Sequence, residues 1–190
     1  MTEPPWPVLS SETAYETGWY TAGYDEVEQP DGTRKKYYWV ELPPAVVVLA
    51  RDGEDLVMIQ QYRPVIRHHC LELVAGIVET EDGADTGGGP APPAAYERAG
   101  ARELEEETGL VADTVTFLEK WWVATGVLRH ERGVVIATEL SETGQQALDS
   151  NEFIETTRVP TEEAIDRARE PPSNDATLEA LLLATHEGLL

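Results

Sequence analysis

Polar and apolar residues alternate at strand-like spacing through much of the first eighty residues of the chain. Residues 14–42, AYETGWYTAGYDEVEQPDGTRKKYYWVEL, mix aromatic and polar residues on both sides of the turn sequence PDGT, which predicts an N-terminal β-hairpin. Two apolar runs, PAVVVLA and DLVMIQQYR, predict strands joined by the turn RDGE, and CLELVAGIVE predicts a further strand. Strands therefore dominate the first part of the predicted structure.

Helical patterns enter in the second half of the chain. Good helix formers run from Ala94 to Thr108 and stop before Gly109, which is well placed to end a helix as a left-handed C-cap. Residues 82–93, DGADTGGGPAPP, precede this helix, and their glycines and prolines predict a flexible surface loop. The remaining segments predict three strands, VTFLEKWWVA, GVVIATEL and EFIETTRVP, and two helices, TEEAIDRARE and DATLEALLLATHEG.

The composition is typical of a folded protein of one domain. The 190 residues suffice for a sizeable core, and a formal charge of −22 argues against nucleic acid or an anionic membrane as the main partner. Cys70 is the single cysteine, which excludes an intramolecular disulfide, and the sequence MTEPPWPVLS lacks the features of a secretory signal. We therefore expect a cytoplasmic protein.

The excess of acidic residues extends along the whole chain, from Glu3 to Glu187. This pattern is typical of a halophilic protein, whose hydrated acidic surface maintains solubility in a salt-rich cytosol, although an acidic mesophilic protein is the alternative. Because salt screens the repulsion between like charges, we expect the melting temperature to rise from low to molar KCl. A flat or falling series would exclude the halophilic interpretation.

The stretch RELEEETGL, residues 102–110, holds the chain's densest group of carboxylates. On a helix, Glu103, Glu106 and Glu107 fall within an arc of roughly 100°, whereas Glu105 points away from them. Carboxylate oxygens on one rigid face suit Mg²⁺ or Mn²⁺, which prefer hard oxygen ligands, water and substrate phosphate. For the isolated run, a solvated acidic helix face is the alternative.

This stretch resembles the signature of the Nudix hydrolases, G-x5-E-x7-R-E-U-x-E-E-x-G-U, in which U is a bulky aliphatic residue. Its second half matches at every fixed position, which are Arg102, Glu103, Leu104, Glu106, Glu107, Gly109 and Leu110. The resemblance implies a metal-dependent hydrolase of nucleoside diphosphate derivatives.

The first half of the signature departs from the family pattern. Counting forward from Gly76 places the expected glutamate at Asp82, whereas counting back from Arg102 places it at Ala94. An insertion of about twelve residues, 82–93, explains the difference and leaves Glu81 or Asp82 to replace the glutamate. A frame that begins at Gly88 is the alternative, but it separates the segment ELVAG from the signature.

The resemblance extends to the ADP-ribose pyrophosphatase branch of the family, through the N-terminal segment, the strand VMIQQYRPVIRHHCLELVAG and the late sequence NEFIE. It implies an α/β/α sandwich around a mixed β-sheet, with an N-terminal β-hairpin extension at 1–42 and the hydrolase domain at 43–190. It also implies a homodimer in which the N-terminal extension contributes to the substrate pocket.

The same resemblance implies roles for particular residues. Glu103, Glu106 and Glu107 would hold Mg²⁺ or Mn²⁺ together with the Ala75 carbonyl, and Arg102 would orient the glutamates. When bound, the cations would neutralise the diphosphate and lower the pKa of a water molecule that attacks phosphorus.

Further roles lie outside the acidic helix. Glu152 matches the general base of the branch, with Asp149 as a weaker candidate, and Arg63 matches an arginine that contacts the diphosphate. Trp19 or Tyr20 would stack on the base. For each residue, a solvated surface position, an ion pair or core packing is the alternative.

Two other functions share the fold. An isoprenoid diphosphate isomerase is one alternative, although the intact RELEEETG and the QYR strand argue against it. A non-catalytic Nudix-fold binding or regulatory protein is the other, and the intact acidic residues argue against that function.

Overall fold

The computed structural model describes residues 5–84, 90–142, 144–148, 150 and 152–190. These residues form strands and helices with the following bounds: β1 Val8–Glu16, β2 Thr21–Glu28, β3 Arg34–Glu41, β4 Ala45–Asp52, β5 Asp55–Arg63, β6 His68–Ile77, α1 Pro93–Thr108, β7 Leu110–Trp122, β8 Leu128–Arg129, β9 Glu131–Glu142, β10 Ile154–Pro160, α2 Thr161–Ala168 and α3 Asp175–His186. No helix among them is both long and apolar enough to cross a bilayer.

Six of the strands form a mixed central sheet in the order β10-β5-β6-β4-β9-β7. Strands β4 and β9 are parallel, and the other neighbouring pairs are antiparallel. Helix α1 packs on one face and helices α2 and α3 pack on the other, which confirms the predicted α/β architecture. Because both faces of β4 are covered, its residues form a continuous apolar run.

The predicted N-terminal β-hairpin around the turn PDGT is confirmed, because β2 and β3 pair as antiparallel strands on either side of it. Strands β1 and β8 extend this hairpin to a sheet of order β1-β2-β3-β8. Strand β1 pairs with β2, and β3 pairs with the short strand β8 through Val40 and Leu128. Strand β1 is exposed along its whole length, so no buried apolar alternation marks it in the sequence. Its position depends on backbone pairing with β2, which the side-chain pattern does not encode.

Helix α1 begins with Pro93 and ends after Thr108, within one residue of the predicted bounds. Proline suits the first turn because its missing N–H would have no partner inside the helix. Gly109 has a φ of 71°, and its N–H donates to the Glu105 carbonyl. The predicted left-handed C-cap is therefore confirmed, since glycine adopts this conformation without steric cost.

The ends of the segment 82–93 are packed, so the prediction of a flexible surface loop is wrong for them. Residues 85–89 of that segment lie outside the described residues. Asp82 is buried, and Arg98 Nε donates to its carbonyl at 2.7 Å. Ala91 is also buried, and Lys120 Nζ donates to its carbonyl at 2.9 Å. Glycine and proline content reports backbone preferences but not the partners supplied by distant side chains.

We expect deletion of residues 82–93 to lower stability, because it removes the buried Asp82 carboxylate from its pair with Arg102. Breaking a buried pair costs about 3 kcal/mol or more, which corresponds to a fall in melting temperature of roughly 6–12 °C in a protein of this size. Thermal unfolding of the deletion variant and of Asp82→Asn checks this expectation, with Glu81→Gln as the exposed neighbouring control. An unchanged melting temperature in the deletion variant would contradict it.

Candidate active site

Helix α1 turns three of its glutamates toward the central sheet. Glu103 and Glu107 are 9% and 3% exposed, and Glu106 is partly buried beside them. Glu105 points to solvent. The predicted division of the four carboxylates is therefore confirmed, as the 3.6-residue repeat of a helix requires.

The carboxylates of Glu103 and Glu107 pack against the end of strand β6. A Cβ atom added to Gly76 would lie 2.0 Å from Glu103 Cδ, so any side chain there would collide with the carboxylate. The Ala75 N–H donates to Glu107 Oε2 at 3.4 Å. This packing supports Gly76 as the glycine of the signature, whereas the alternative Gly88 lies outside the described residues.

Arg102 joins the acidic helix to the loop that follows β6. Its guanidinium donates to Glu103 Oε1 at 2.8 Å, to Glu106 Oε2 at 2.9 Å and to Asp82 Oδ2 at 3.0 Å. It also donates to the Ile77 carbonyl at 2.9 Å. Asp82 is thus buried and paired with Arg102, whereas Glu81 is exposed.

The buried carboxyl groups of Glu103 and Glu107 are costly to ionise in the metal-free protein, and Arg102 does not fully offset this cost. Burial raises the pKa of Glu103 to about 7, despite the opposing effect of Arg102. Burial and the charge of Glu103 raise the pKa of Glu107 to about 8. Buried anions of this kind are stabilised by a cation, and carboxylate oxygens suit Mg²⁺ or Mn²⁺. The donor set therefore fits such an ion.

The described residues do not form a closed metal cage. No group of three or more His, Cys, Asp or Glu side chains within them converges as ready-made ligands. Mg²⁺ commonly takes one or two carboxylates and completes its shell with water and substrate phosphate. An open arrangement on one helix face agrees with that mode of binding.

These pKa values predict how the stability of the metal-free protein depends on pH. Between about pH 5 and 8, folded Glu103 and Glu107 hold protons that the unfolded chain has released, so stability should fall as the pH rises. Melting temperatures measured in chelator across this range check the slope, and Glu107→Gln should reduce it. Equal slopes for the parent and the variant would contradict this assignment.

A buried ion pair lies on the same face of the sheet. Glu72 is 4% exposed on β6 and accepts hydrogen bonds from Arg63 Nη2 at 2.5 Å and from Gln61 Nε2 at 3.1 Å. Arg63 is predicted to contact the diphosphate, with an ion pair as the alternative, and here it is paired with Glu72, which is not among the predicted site residues. The sequence does mark Glu72, because it is a glutamate inside the otherwise apolar strand CLELVAG, and a buried carboxylate requires a partner.

Glu152 lies close enough to α1 that its charge raises the pKa of Glu103 and Glu107. Asp149, the weaker candidate for a general base, lies outside the described residues. The preceding loop docks on the end of α1, because the Ala147 N–H donates to the Glu106 carbonyl at 2.9 Å. The fold thus brings a late loop to the acidic helix.

Trp19 and Tyr20 line a separate cavity of about 990 Å³ between the N-terminal sheet and the loop after β6. Trp19 is 67% exposed and Tyr20 is 36% exposed. None of the described lining residues is a glutamate of α1, although residues 77–81 form part of the wall. The cavity adjoins the carboxylates of α1, because Ile77 lines it and accepts a hydrogen bond from Arg102.

Comparison with known proteins identifies the family. Residues 41–181 match the model of the NUDIX domain, and residues 6–40 match that of the nucleoside diphosphate sugar hydrolase N-terminal domain. The chain belongs to the Nudix family. The stretch RELEEETGL and Gly76 therefore both lie inside the matched domain.

Individual Nudix relatives agree with this assignment. The chain is 33% identical over 143 residues to the ADP-ribose pyrophosphatase of Bacillus subtilis, covering 74% of this chain and 71% of the relative. It is 32% identical over 148 residues to the methanol dehydrogenase activator of Bacillus methanolicus, covering 77% of this chain and 74% of the relative. A crystal structure of an ADP compounds hydrolase shares the fold, with a TM-score of 0.82 and 23% identity. The match covers 100% of this chain and 98% of the other chain. The chain is a Nudix hydrolase.

Proposed function

We propose that this Nudix hydrolase cleaves the diphosphate linkage of ADP-ribose to give AMP and ribose 5-phosphate, with Mg²⁺ or Mn²⁺ as cofactor. The observation that carries the proposal is the set of buried carboxylates on α1, packed against Gly76 and within electrostatic reach of Arg63. The names of the relatives support ADP-ribose or a similar ADP compound as substrate.

Glu103, Glu106 and Glu107, with the Ala75 carbonyl, are the proposed metal ligands. The bound cations would supply neutralisation of the diphosphate charge and acidification of the attacking water. Arg102 fixes Glu103 and Glu106 through charge-assisted hydrogen bonds at 2.8 and 2.9 Å.

Two residues would act on the substrate from beyond α1. Glu152 is the proposed general base, which accepts a proton from the attacking water, and its effect on the pKa of Glu107 supports this role. Arg63 would donate to the diphosphate oxygens, because its side chain remains 44% exposed while it is paired with Glu72. A guanidinium held on one side by a buried carboxylate keeps a fixed orientation for such contacts.

The N-terminal unit 1–42 is proposed to serve both the pocket and dimer formation, with 43–190 as the hydrolase domain. Trp19 or Tyr20 would stack on the base. Exposed apolar residues on the N-terminal sheet support a homodimer, since a second copy would remove them from water; Val8 and Tyr15 are each 58% exposed. We also propose a cytoplasmic location, which suits a chain whose single cysteine, Cys70, is free.

A substrate panel tests the proposed reaction. ADP-ribose, GDP-mannose, NADH, diadenosine polyphosphates and nucleoside triphosphates are incubated with Mg²⁺ or Mn²⁺, and the products are separated by chromatography. We expect ADP-ribose to be hydrolysed faster than the other compounds and to yield AMP and ribose 5-phosphate. A dominant triphosphatase profile would overturn the substrate assignment. Isopentenyl diphosphate is incubated in parallel, and an isomerised product from it would favour the isomerase alternative.

A further inference from the structure

The cavity beside Trp19 and Tyr20 has a strongly acidic wall. Among the described residues that line it, four are carboxylates and one is a guanidinium, which gives a formal charge of −3. They are Glu41, Glu79, Glu81, Glu131 and Arg129. This charge is opposite to what a phosphate site requires.

The single guanidinium of the wall is already engaged by acidic residues. Arg129 Nη2 lies 2.5 Å from Asp25 Oδ2, and Arg129 Nη1 lies 3.5 Å from Glu41 Oε2. Its guanidinium also lies 4.2 Å from the centre of the Trp39 ring. An anion entering the cavity would therefore compete with two carboxylates for Arg129.

Three aromatic side chains complete the wall and offer flat surfaces to a ring. Trp19, Tyr20 and Trp122 line the cavity, and Trp19 and Trp122 are 67% and 53% exposed. Aromatic faces bind bases and the apolar faces of sugars, and carboxylates accept hydrogen bonds from hydroxyl and amino groups. The lining thus suits an uncharged group that carries such donors.

The cavity and the carboxylate centre share the loop after β6. Ile77 lines the cavity, and its carbonyl accepts a hydrogen bond from Arg102, which also binds Glu103 and Glu106. A substrate whose diphosphate lies at the carboxylate centre would therefore extend one of its ends toward the cavity. This step rests on the proposed function.

We propose that the acidic cavity binds an uncharged, hydroxyl-bearing end of the substrate and rejects an end that carries an additional phosphate. Repulsion between the wall and a phosphate dianion acts over several ångströms and is screened by salt. The enzyme therefore distinguishes ADP-ribose from derivatives phosphorylated at the end that enters the cavity.

Two derivatives of ADP-ribose test this selectivity. One carries a phosphate on the 2′-hydroxyl of adenosine, and the other carries it on the 1″-hydroxyl of the terminal ribose. Binding is followed by tryptophan fluorescence after rapid mixing, before turnover, and kcat/KM is measured separately with Mg²⁺. Because Trp19 or Tyr20 is proposed to stack on the base, the adenosine end is the one that enters the cavity. At low ionic strength, we expect the 2′-phosphate derivative to bind at least about tenfold more weakly than ADP-ribose, with a smaller difference in molar salt.

Charge-removing variants identify the cause of the difference. The double variant Glu41→Gln/Glu81→Gln removes two charges from the wall and should reduce the discrimination at least about threefold. The double variant Glu162→Gln/Glu163→Gln changes net charge equally on exposed positions of α2, across the sheet, and should leave it unchanged. Circular dichroism and melting temperature check that both variants are folded.

The outcomes separate this inference from the proposed reaction. Equal binding of ADP-ribose and the 2′-phosphate derivative, or discrimination that survives in Glu41→Gln/Glu81→Gln, would overturn the inference even if ADP-ribose is hydrolysed. Selective binding of ADP-ribose without hydrolysis would overturn the proposed reaction and uphold the cavity's role. Absence of ADP-ribose binding would overturn both.

Discussion

Changing Glu107 or Glu106 to glutamine should reduce ADP-ribose turnover by about a thousandfold or more. Glutamine keeps the size of the side chain but removes an anionic oxygen ligand from the face that turns toward Gly76. Bound cations supply several kcal/mol of transition-state stabilisation, and each 1.36 kcal/mol corresponds to a factor of about ten in rate. Turnover with saturating Mg²⁺ is the measurement.

The metal-free stability of the same variants separates a ligand from an ordinary surface charge. The pKa of Glu107 is raised to about 8 mainly by burial, so its charge opposes folding at higher pH. We therefore expect the melting temperature of Glu107→Gln in chelator at pH 8.5 to equal or exceed that of the parent. A clear loss of stability would indicate that Glu107 has a structural role.

Glu105→Gln is the matched control, because Glu105 lies on the same helix but faces solvent. It should retain activity within about twofold, since surface substitutions of this kind have small effects. If Glu106→Gln and Glu107→Gln match Glu105→Gln in turnover and melting, the acidic run is a solvated face and the proposed mechanism is wrong.

Replacing Arg102 with methionine should lower both stability and activity. The guanidinium contacts Asp82, Glu103, Glu106 and the Ile77 carbonyl, so its removal leaves carboxylates without their cation. Removing one partner from a buried ionic group costs about 3 kcal/mol or more, or roughly 6–12 °C in melting temperature for a protein of this size. Thermal unfolding in chelator measures the loss.

Saturating Mg²⁺ should restore part of the stability of Arg102→Met, because bound cations would offset the same carboxylates. Activity should remain low, since glutamates without Arg102 lose their fixed orientation. Arg98→Met is the control, because Arg98 lies on the same helix and donates to the backbone carbonyl of Asp82, so its loss should cost less. Equal losses in the two variants would assign Arg102 to packing alone.

The features of α1 could be predicted because they depend on neighbouring residues. Helix propensity and Gly109 defined the bounds of the helix, and its repeat separated Glu105 from the other three glutamates. The central strands β4 and β5 likewise followed from the apolar runs PAVVVLA and DLVMIQQYR. Residues up to four apart on a helix, and alternate residues of a strand, share a face, so their interactions follow directly from the order of residues in the sequence.

The surroundings of the site could not be predicted in this way. The Glu72 carboxylate gains its partner only when β5 pairs with β6, and Asp82 gains Arg102 only when the loop folds back on α1. Strand β1 has no buried face, so its pairing left no apolar repeat to detect. Each case depends on a contact between segments that lie far apart in the chain or on exposure set by another element.

The sequence by itself determined an acidic helix face, because the RELEEETGL stretch specifies side-chain directions within one rigid element. Tertiary structure decided which charges are buried, which glycine receives Glu103, and that the insertion is anchored at Asp82 and Ala91. It also decided that an acidic, aromatic cavity adjoins the site. Burial and charge balance arise from segments brought together by the sheet, and their effects on pKa and affinity depend on distances that no local pattern contains.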